Sequence, residues 1–193
     1  MLRKLLASLV LLATVQAQAA DQEQARAIVE SVCKVCHGID GESSSAVYPR
    51  LAGQNASYIS KQLADFKAGR RMGTMNDIAA SLTDEDMVLL GEYFSSKPVQ
   101  AHRASNPDLA AVGKYIYFNG NQWSGVAACS SCHGEDGAGT EELPRIAGQH
   151  MRYLLIQLRD FSTQERPSPV MGSIASKLTE LEVEAVARYL SGI

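Results

Sequence analysis

Apolar residues recur every three to four positions in six segments of the chain, a spacing that places them on one face of an α-helix. In the first segment Ala25, Ile28, Val29 and Val32 share such a face. The six segments are 21–32, 57–68 and 83–95, followed by 107–119, 150–162 and 179–191. No run alternates apolar and polar residues as a half-buried strand would. The pattern predicts an all-α fold.

Helix-capping residues mark the start of three of these segments. Asn106 and Pro107 have the character of an N-cap and a first-turn proline. Thr83 and Thr179 each precede acidic residues, which favour the positive end of the helix dipole. Helices are therefore expected to begin near these positions.

The second half of the chain repeats the first. The segment Pro-Arg-Leu-Ala-Gly-Gln at 49–54 returns as Pro-Arg-Ile-Ala-Gly-Gln at 144–149, an offset of 95 positions. At offsets of 95 and 96, Tyr58, Phe66, Met75, Leu82 and Tyr93 match Tyr153, Phe161, Met171, Leu178 and Tyr189. A tandem duplication follows. We expect domains at 21–97 and 107–193, with 98–106 as an extended surface linker.

The first twenty residues have the pattern of a signal peptide. Arg3 and Lys4 precede an apolar run of about ten residues, and Ala17-Gln18-Ala19 resembles a cleavage site. The run is shorter than the roughly 20 residues that a membrane-spanning helix needs. The pattern predicts an exported protein, at most peripherally associated with a membrane. The alternative is a retained N-terminal anchor.

Charge and composition narrow the function. The chain has 193 residues, of which 46% are hydrophobic and 20% charged, as in an ordinary globular protein. Its net charge of −3 argues against nucleic-acid binding, which requires a basic surface. Aromatic residues make up only 6%, so a core built from side chains alone is poor in large rings.

All four cysteines belong to one repeated motif. Cys33, Cys36 and His37 form a C-x-x-C-H pattern, and Cys129, Cys132 and His133 form the second copy. This is the pattern of covalent haem c attachment, in which two thiols add to the porphyrin vinyl groups and the imidazole binds the iron. A thioredoxin-like site, a four-ligand zinc site and two disulfides are the alternatives. No strand-rich pattern surrounds either pair, as a thioredoxin-like site requires, and the pairs lie 96 residues apart, far beyond the usual spacing of a zinc site. Two disulfides would leave the histidine after each pair unexplained.

Two methionines are candidates for the remaining iron position. Met75 follows His37 by 38 residues, and Met171 follows His133 by the same number. No other pair of methionines is equivalent across the repeat, although Met72 is a fallback in the first half. Glycine, proline and other turn formers around both candidates predict that they lie on loops. The remaining histidines, His102 and His150, are expected at the surface.

Together these motifs resemble the dihaem cytochrome c4 family over essentially the whole mature chain. The resemblance implies two class I cytochrome c domains, each a small helical bundle with a His/Met-ligated haem, facing each other near the haem propionates. It also implies that the carbonyls of Pro49 and Pro144 accept a hydrogen bond from the proximal imidazoles. Arg50 and Arg145 are then either propionate partners or solvated charges, and the recurring tyrosines are expected to pack in the core.

By this resemblance the protein is a periplasmic one-electron carrier and not an enzyme. It would shuttle electrons in a respiratory chain between redox proteins, such as a quinol-oxidising complex and a terminal oxidase. One alternative is a dihaem enzyme, either a peroxidase or a thiosulfate-oxidising cytochrome. Another is an electron-transfer subunit of a larger complex.

Overall fold

The computed structural model describes residues 19–193, and 1–18, which hold nearly all of the predicted signal peptide, lie outside it. The described part of the first half, from residue 19 onward, contains five α-helices. Helix α1 covers 19–28 and runs without a break through a π-helical turn, Val29–Cys33, into the one-turn helix α2, Lys34–His37. The others are α3 (Ala56–Lys67), α4 (Met75–Ala80) and α5 (Asp84–Ser95).

The second half repeats this order. Its helices are α6 (Pro107–Asn119), α7 (Ser130–His133), α8 (Met151–Ser162), α9 (Pro169–Ala175) and α10 (Glu180–Leu190). One difference separates the halves. Between α6 and α7 a turn is closed by the bridge between Asn121 and Val126, whereas α1 leads directly into α2. The only tryptophan, Trp123, lies in this turn and is 90% exposed.

The six helices predicted from apolar spacing are present, and the all-α class is confirmed. Asn106 and Thr83 cap α6 and α5 as expected, since their side chains accept hydrogen bonds from the backbone N–H groups of Leu109 and Asp86. Within residues 19–193, no helix is long and apolar enough to cross a bilayer.

Each half has its own apolar core. The first core is formed where α1, α3 and α5 meet, and its most buried side chains include Val29, Leu90 and Phe94. The second core is formed by α6, α8 and α10 around Tyr117 and Leu190.

Glycine permits the close crossing of helices in both halves. A Cβ at Gly113 would collide with the carbonyl of Ala185 where α6 crosses α10, and a Cβ at Gly91 would collide with the carbonyl of Ala56 where α5 meets α3. Small residues at these two positions bring the backbones of the paired helices together.

The two halves meet across a polar interface. Gln149 accepts a hydrogen bond from the Arg50 N–H at 2.9 Å and donates one to the Arg50 carbonyl at 3.0 Å. Gln54 makes the same two contacts with Arg145, both at 2.8 Å. Residues that match in the repeat thus exchange roles across the interface, which gives it an approximate twofold symmetry.

Candidate haem sites

Each C-x-x-C-H motif forms a single helical turn. Cys33 ends the π-helical turn before α2, and Cys129 is the N-cap of α7. The four thiols are free, so the two-disulfide alternative is not seen in this structure. Burial raises the pKa of Cys33 and of Cys129 to about 11, which disfavours the free thiolate needed for thiol exchange.

The two motif histidines are buried and have the same partner. His37 is 6% exposed and His133 is 8% exposed. The Nδ1 of His37 lies 2.9 Å from the Pro49 carbonyl, and the Nδ1 of His133 lies 3.0 Å from the Pro144 carbonyl. Because a carbonyl can only accept, Nδ1 carries the proton in each ring and Nε2 presents its lone pair. The proline partners expected from the family resemblance are confirmed.

Burial and this hydrogen bond together prepare each imidazole to bind a metal. Desolvation lowers the pKa of His37 and of His133, so the neutral ring, the form that ligates iron, is favoured. The carbonyl fixes the tautomer and the orientation of the ring. Both effects come from the protein fold.

Backbone hydrogen bonds hold the proline loops in place. The N–H of Leu51 donates to the Gly41 carbonyl at 2.8 Å, and the N–H of Ile146 donates to the Gly137 carbonyl at 2.8 Å. Gly41 and Gly137 both have a positive φ, +77° and +68°, which only glycine adopts readily. The loop after each histidine therefore returns the proline carbonyl to the ring.

The candidate methionines lie in short helices, which corrects the expectation that they lie on loops. Met75 is the first residue of α4, and Met171 is the third residue of α9. At α9 the turn formers that suggested a loop start the helix instead: Ser168 caps α9 through the N–H of Met171 at 3.2 Å, and Pro169 occupies the first turn.

Burial separates the two methionine candidates from the exposed Met72 and the fully buried Met87, but not from Met151, which is also half-buried. Met75 is half-buried and packs on the same core as Cys33, and Met171 is also half-buried. Met72, the fallback ligand, is 71% exposed. Met87 and Met151 pack in the first and second cores.

Arg50 is not the solvated charge that one interpretation allowed. Its guanidinium lies 3.1 Å from the Glu42 carboxylate, with the two side chains 17% and 14% exposed, and it donates to the Gly148 carbonyl at 2.5 Å. In the second half Ala138 stands where the repeat places Glu42. The Nε of Arg145 is buried and has no hydrogen-bond partner among the described residues.

The two remaining histidines lie at the interface, so their expected surface position was wrong. The Nε2 of His150 lies 2.8 Å from the Ser43 carbonyl of the other half. The Nε2 of His102, in the predicted linker, lies 3.5 Å from the Glu42 carboxylate. Packing of the halves against each other buries both rings in part, which no local pattern could indicate.

Sequence reasoning missed the arginines at the centre of the interface. Arg71 donates to Tyr153 and Gln157 of the other half, and Arg166 donates to Tyr58 and Gln62. The two arginines are 95 positions apart, the repeat offset, and this recurrence is the signal that could have found them.

The donors available in each half fit a haem c group. Two cysteine thiols and one buried neutral imidazole lie on a single turn. A half-buried methionine thioether lies in the first turn of a later helix, α4 in the first half and α9 in the second. These are a pair of sulfur attachment points and two axial donors of the kinds that haem iron takes.

Comparison with known proteins decides the family. The cytochrome c family model matches residues 22–117 and again residues 110–193. Cytochrome c4 of Thiocapsa roseopersicina is 37% identical over 182 residues, which cover 91% of this chain and 94% of the relative. The chain belongs to the cytochrome c4 family. It therefore carries two covalently bound haem c groups and is a dihaem electron-transfer cytochrome.

Two further relatives extend the comparison. The crystal structure of reduced recombinant cytochrome c4 from Pseudomonas stutzeri superposes with a TM-score of 0.82 at 34% identity, over 89% of this chain and 97% of that one. A thiosulfate dehydrogenase electron acceptor from Stutzerimonas stutzeri strain A1501 is 35% identical, over 95% of this chain and 91% of the relative. Proteins similar to this cytochrome c4 thus include one named for a particular electron donor.

Proposed function

We propose that this cytochrome c4 carries single electrons through the periplasm, from a quinol-oxidising complex toward a terminal oxidase. In the first domain His37 and Met75 bind the iron, and Cys33 and Cys36 form the thioether links. His133, Met171, Cys129 and Cys132 have these roles in the second domain. The observation that carries the proposal is the equivalence of the two sites, since each pairs a carbonyl-bound buried imidazole with a methionine 38 residues further on.

The side chains of the two sites set potential and access. A bound haem supplies the ferric–ferrous couple that accepts and returns one electron. The methionine thioethers raise the potential relative to a second nitrogen donor. The carbonyls of Pro49 and Pro144 fix the imidazoles. A histidine and a methionine of each domain would together hold the iron and would leave no iron position for a substrate, which favours a carrier over a peroxidase.

The domain limits of the proposal are 21–97 and 107–193, with 98–106 as the linker. Two observations support them. Helix α5 ends at Ser95 and α6 begins at Pro107. The helices on each side of this interval pack with their own half, α3 on α5 and α6 on α10.

The ligand assignment is tested by replacing Met171 with leucine. We expect Met171→Leu to halve the weak red-end absorption band that methionine ligation gives to oxidised low-spin haem. The second haem should also show a lower midpoint potential or a high-spin spectrum, because its thioether donor is lost. Optical redox titration of the pure protein measures all three quantities.

Met151→Leu is the matched control for this experiment. Met151 is the start of α8 and packs in the second core, so its loss should leave the red-end band at full strength. An unchanged band in Met171→Leu, or a halved band in Met151→Leu, would show that the ligand is misassigned. Rapid turnover of peroxide by the wild-type protein would contradict the carrier function.

A second candidate role is supported by one of the relatives. The similarity to a thiosulfate dehydrogenase electron acceptor, 35% identical over 95% of this chain, favours thiosulfate dehydrogenase as the donor. Stopped-flow reduction distinguishes the two routes. We expect the oxidised protein to be reduced faster by a quinol-oxidising complex than by a thiosulfate dehydrogenase, each at equal concentration. The opposite order would assign the second role.

A further inference from the structure

Two arginines form a symmetric hydrogen-bonded cluster across the domain interface. We call Arg71, Arg166 and their four partners, Tyr58, Gln62, Tyr153 and Gln157, the arginine cluster. Arg71 donates to Tyr153 Oη at 2.9 Å and to Gln157 Oε1 at 2.8 Å, both in the other domain, and to Gln62 Oε1 at 2.7 Å in its own.

Arg166 repeats this arrangement in the opposite direction. It donates to Tyr58 Oη and Gln62 Oε1 across the interface, both at 2.7 Å, and to Gln157 Oε1 at 2.7 Å within its own domain. Within residues 19–193, each tyrosine hydroxyl therefore accepts a hydrogen bond only from the arginine of the opposite domain. A substitution of one tyrosine loosens one arginine directly and the other only through the shared glutamines.

Neither guanidinium has a carboxylate partner among the described residues. Each is held by neutral acceptors and by an aromatic ring of its own domain, Arg71 over Phe66 and Arg166 over Phe161, both 4.6 Å from the ring centroid. All six side chains of the arginine cluster are half-buried. Each arginine is thus held from both domains, and the other domain supplies two of its three hydrogen-bond acceptors.

Both arginines lie on the segment that leads to the candidate axial methionine. The Arg71 carbonyl accepts a hydrogen bond from the side chain of Asn76 at 2.9 Å, and Asn76 follows Met75 directly. The same Asn76 amide donates to the Phe66 carbonyl at 2.6 Å, and its Oδ1 accepts from the Gly73 N–H at 2.7 Å. The segment 66–76 is therefore one closed, hydrogen-bonded loop with Arg71 as its contact to the other domain.

The second domain has Gly172 in place of Asn76, so its arginine segment lacks the asparagine contacts and is connected to the methionine helix through Ser168. The N–H of Arg166 donates to the Asp160 carbonyl at 2.9 Å, as the N–H of Arg71 does to the Asp65 carbonyl at 3.1 Å. Ser168, two residues on, caps the helix that carries Met171. In both domains one side chain connects the methionine segment to the partner domain.

We propose that Arg71 and Arg166 are positioning residues through which each domain holds the axial methionine of the other. Tyr153 and Gln157 keep the Met75 segment closed, and Tyr58 and Gln62 do the same for the Met171 segment. The inference rests on the proposed ligation by Met75 and Met171. It adds that residues of the second domain set how easily Met75 is displaced from the first haem. Residues of the first domain do the same for Met171 at the second haem.

The test measures how fast added imidazole displaces the methionine from the oxidised protein. In a Met171→His background the second haem has no methionine to displace, so the red-end band reports on the first haem alone. We expect Tyr153→Phe to accelerate displacement at that haem by about fivefold, since a hydrogen bond to a charged donor is lost. Arg71→Lys keeps the positive charge but loses the planar guanidinium that donates to several acceptors at once. It should accelerate displacement of the methionine similarly.

Tyr58→Phe in the same background is the matched control. It removes a hydroxyl from the first domain itself, yet Tyr58 contacts Arg166, so displacement at the first haem should change less than half as much. In a Met75→His background the two tyrosine variants should exchange their effects. If the Met→His backgrounds do not fold, two-dimensional NMR of the ligand methyl groups in the single tyrosine variants gives the same comparison.

The outcomes separate this inference from the proposed function. If Met171→His leaves the red-end band at full strength, the ligand assignment fails and the inference fails with it. If the band halves but Tyr58→Phe and Tyr153→Phe accelerate displacement equally, the ligands are correct and the cross-domain positioning is wrong. A general loss of stability would also act equally on both haems.

Discussion

In each domain one buried tyrosine donates a hydrogen bond to the backbone just after the proximal histidine. The two tyrosines are not at equivalent positions of the repeat. Tyr93 donates to the Ile39 carbonyl at 3.1 Å, and Tyr117 donates to the Gly134 carbonyl. Tyr189, the repeat partner of Tyr93, packs against the Tyr117 ring instead, with centroids 5.4 Å apart. Both domains thus provide a tyrosine hydroxyl as hydrogen-bond donor to a carbonyl one or two residues after the histidine. The tyrosines that do so are not equivalent in the repeat.

Tyr117→Phe tests this contact in the second domain. Tyr117 is fully buried, and burial raises the pKa of its phenol to about 12, so it remains a donor at any ordinary pH. Without the hydroxyl the Gly134 carbonyl, next to His133, keeps only the longer contact from the Gly137 N–H at 3.4 Å. We expect the free energy of unfolding to fall by about 1–2 kcal/mol, measured by guanidinium denaturation.

Tyr115→Phe is the control on the same helix. The Tyr115 side chain is 66% exposed, so removing its hydroxyl should leave stability within about 0.5 kcal/mol of wild type. An equal decrease in the free energy of unfolding of the two variants would show that the buried hydrogen bond contributes no more to stability than an exposed hydroxyl does.

For single residues, the sequence predicts contacts with partners that are near in the chain. It does not predict contacts with partners in the other domain. The contacts of His37 and His133 with proline carbonyls follow from a motif and a loop that returns to it. Tyr58 and Tyr153 were expected to pack in the core, and they bind arginines of the opposite domain instead. An amphipathic ring with a hydroxyl suits either environment, so only the assembled domains decide between them.

Among the helices, α5 and α10 begin with the same capping box. Thr83 accepts from the N–H of Asp86 while the Asp86 carboxylate accepts from the N–H of Thr83, and Thr179 and Glu182 do the same. Glu182 also accepts from the Asn121 side chain at 2.7 Å, which connects α10 to the turn before α7. These helix starts are therefore specified twice, by the local box and by a tertiary contact.

Glu182→Gln separates the hydrogen bonds of this box from its charge. The Asn121 amide first, and then the Thr179 N–H, hold the pKa of Glu182 below its usual value in the folded state. Its contribution to stability is therefore fully present above the unfolded pKa of about 4.3 and is lost as pH falls through the lower folded value. Glutamine still accepts the Thr179 N–H but does not titrate. We expect the variant to lose less stability than wild type between pH 5 and 3, measured by urea denaturation.

Glu180→Gln provides the comparison for this prediction. Glu180 lies in the same first turn of α10 and is exposed, without the capping contacts of Glu182. Its pH profile should follow that of wild type. Identical profiles for the wild type and Glu182→Gln would mean that this carboxylate does not contribute to the acid sensitivity.

The helices absent from the sequence prediction are the four short ones that carry candidate ligands, α2, α4, α7 and α9. They have four to seven residues each, too few for an apolar period to be recognised. Turn formers precede both methionines, but at α9 the same residues start a helix, because Ser168 caps it and Pro169 follows. The long amphipathic helices were predictable because burial repeats along them.

The whole molecule is a pair of similar domains joined by polar contacts. The sequence predicts the duplication, because matching residues recur at a fixed offset, but it does not predict the interface. Gln54 and Gln149 lie in the repeated segment and are each 7% exposed, although glutamine is ordinarily a surface residue. Each satisfies both backbone groups of an arginine in the other domain, as a neighbouring strand would.

Gln149→Ala should therefore weaken the interface between the domains more than the loss of one side chain suggests. The Arg50 N–H and carbonyl would lose their partners in a buried interface, at a cost of about 2–4 kcal/mol for the two groups. Because this cost falls on the interface and not on either core, we expect the calorimetric unfolding of the holoprotein to broaden or divide into two transitions. Gln122→Ala, at an exposed position in the turn before α7, should leave the wild-type profile intact. A uniform downward shift of one sharp transition in Gln149→Ala would show instead that the domains unfold as one unit without this contact.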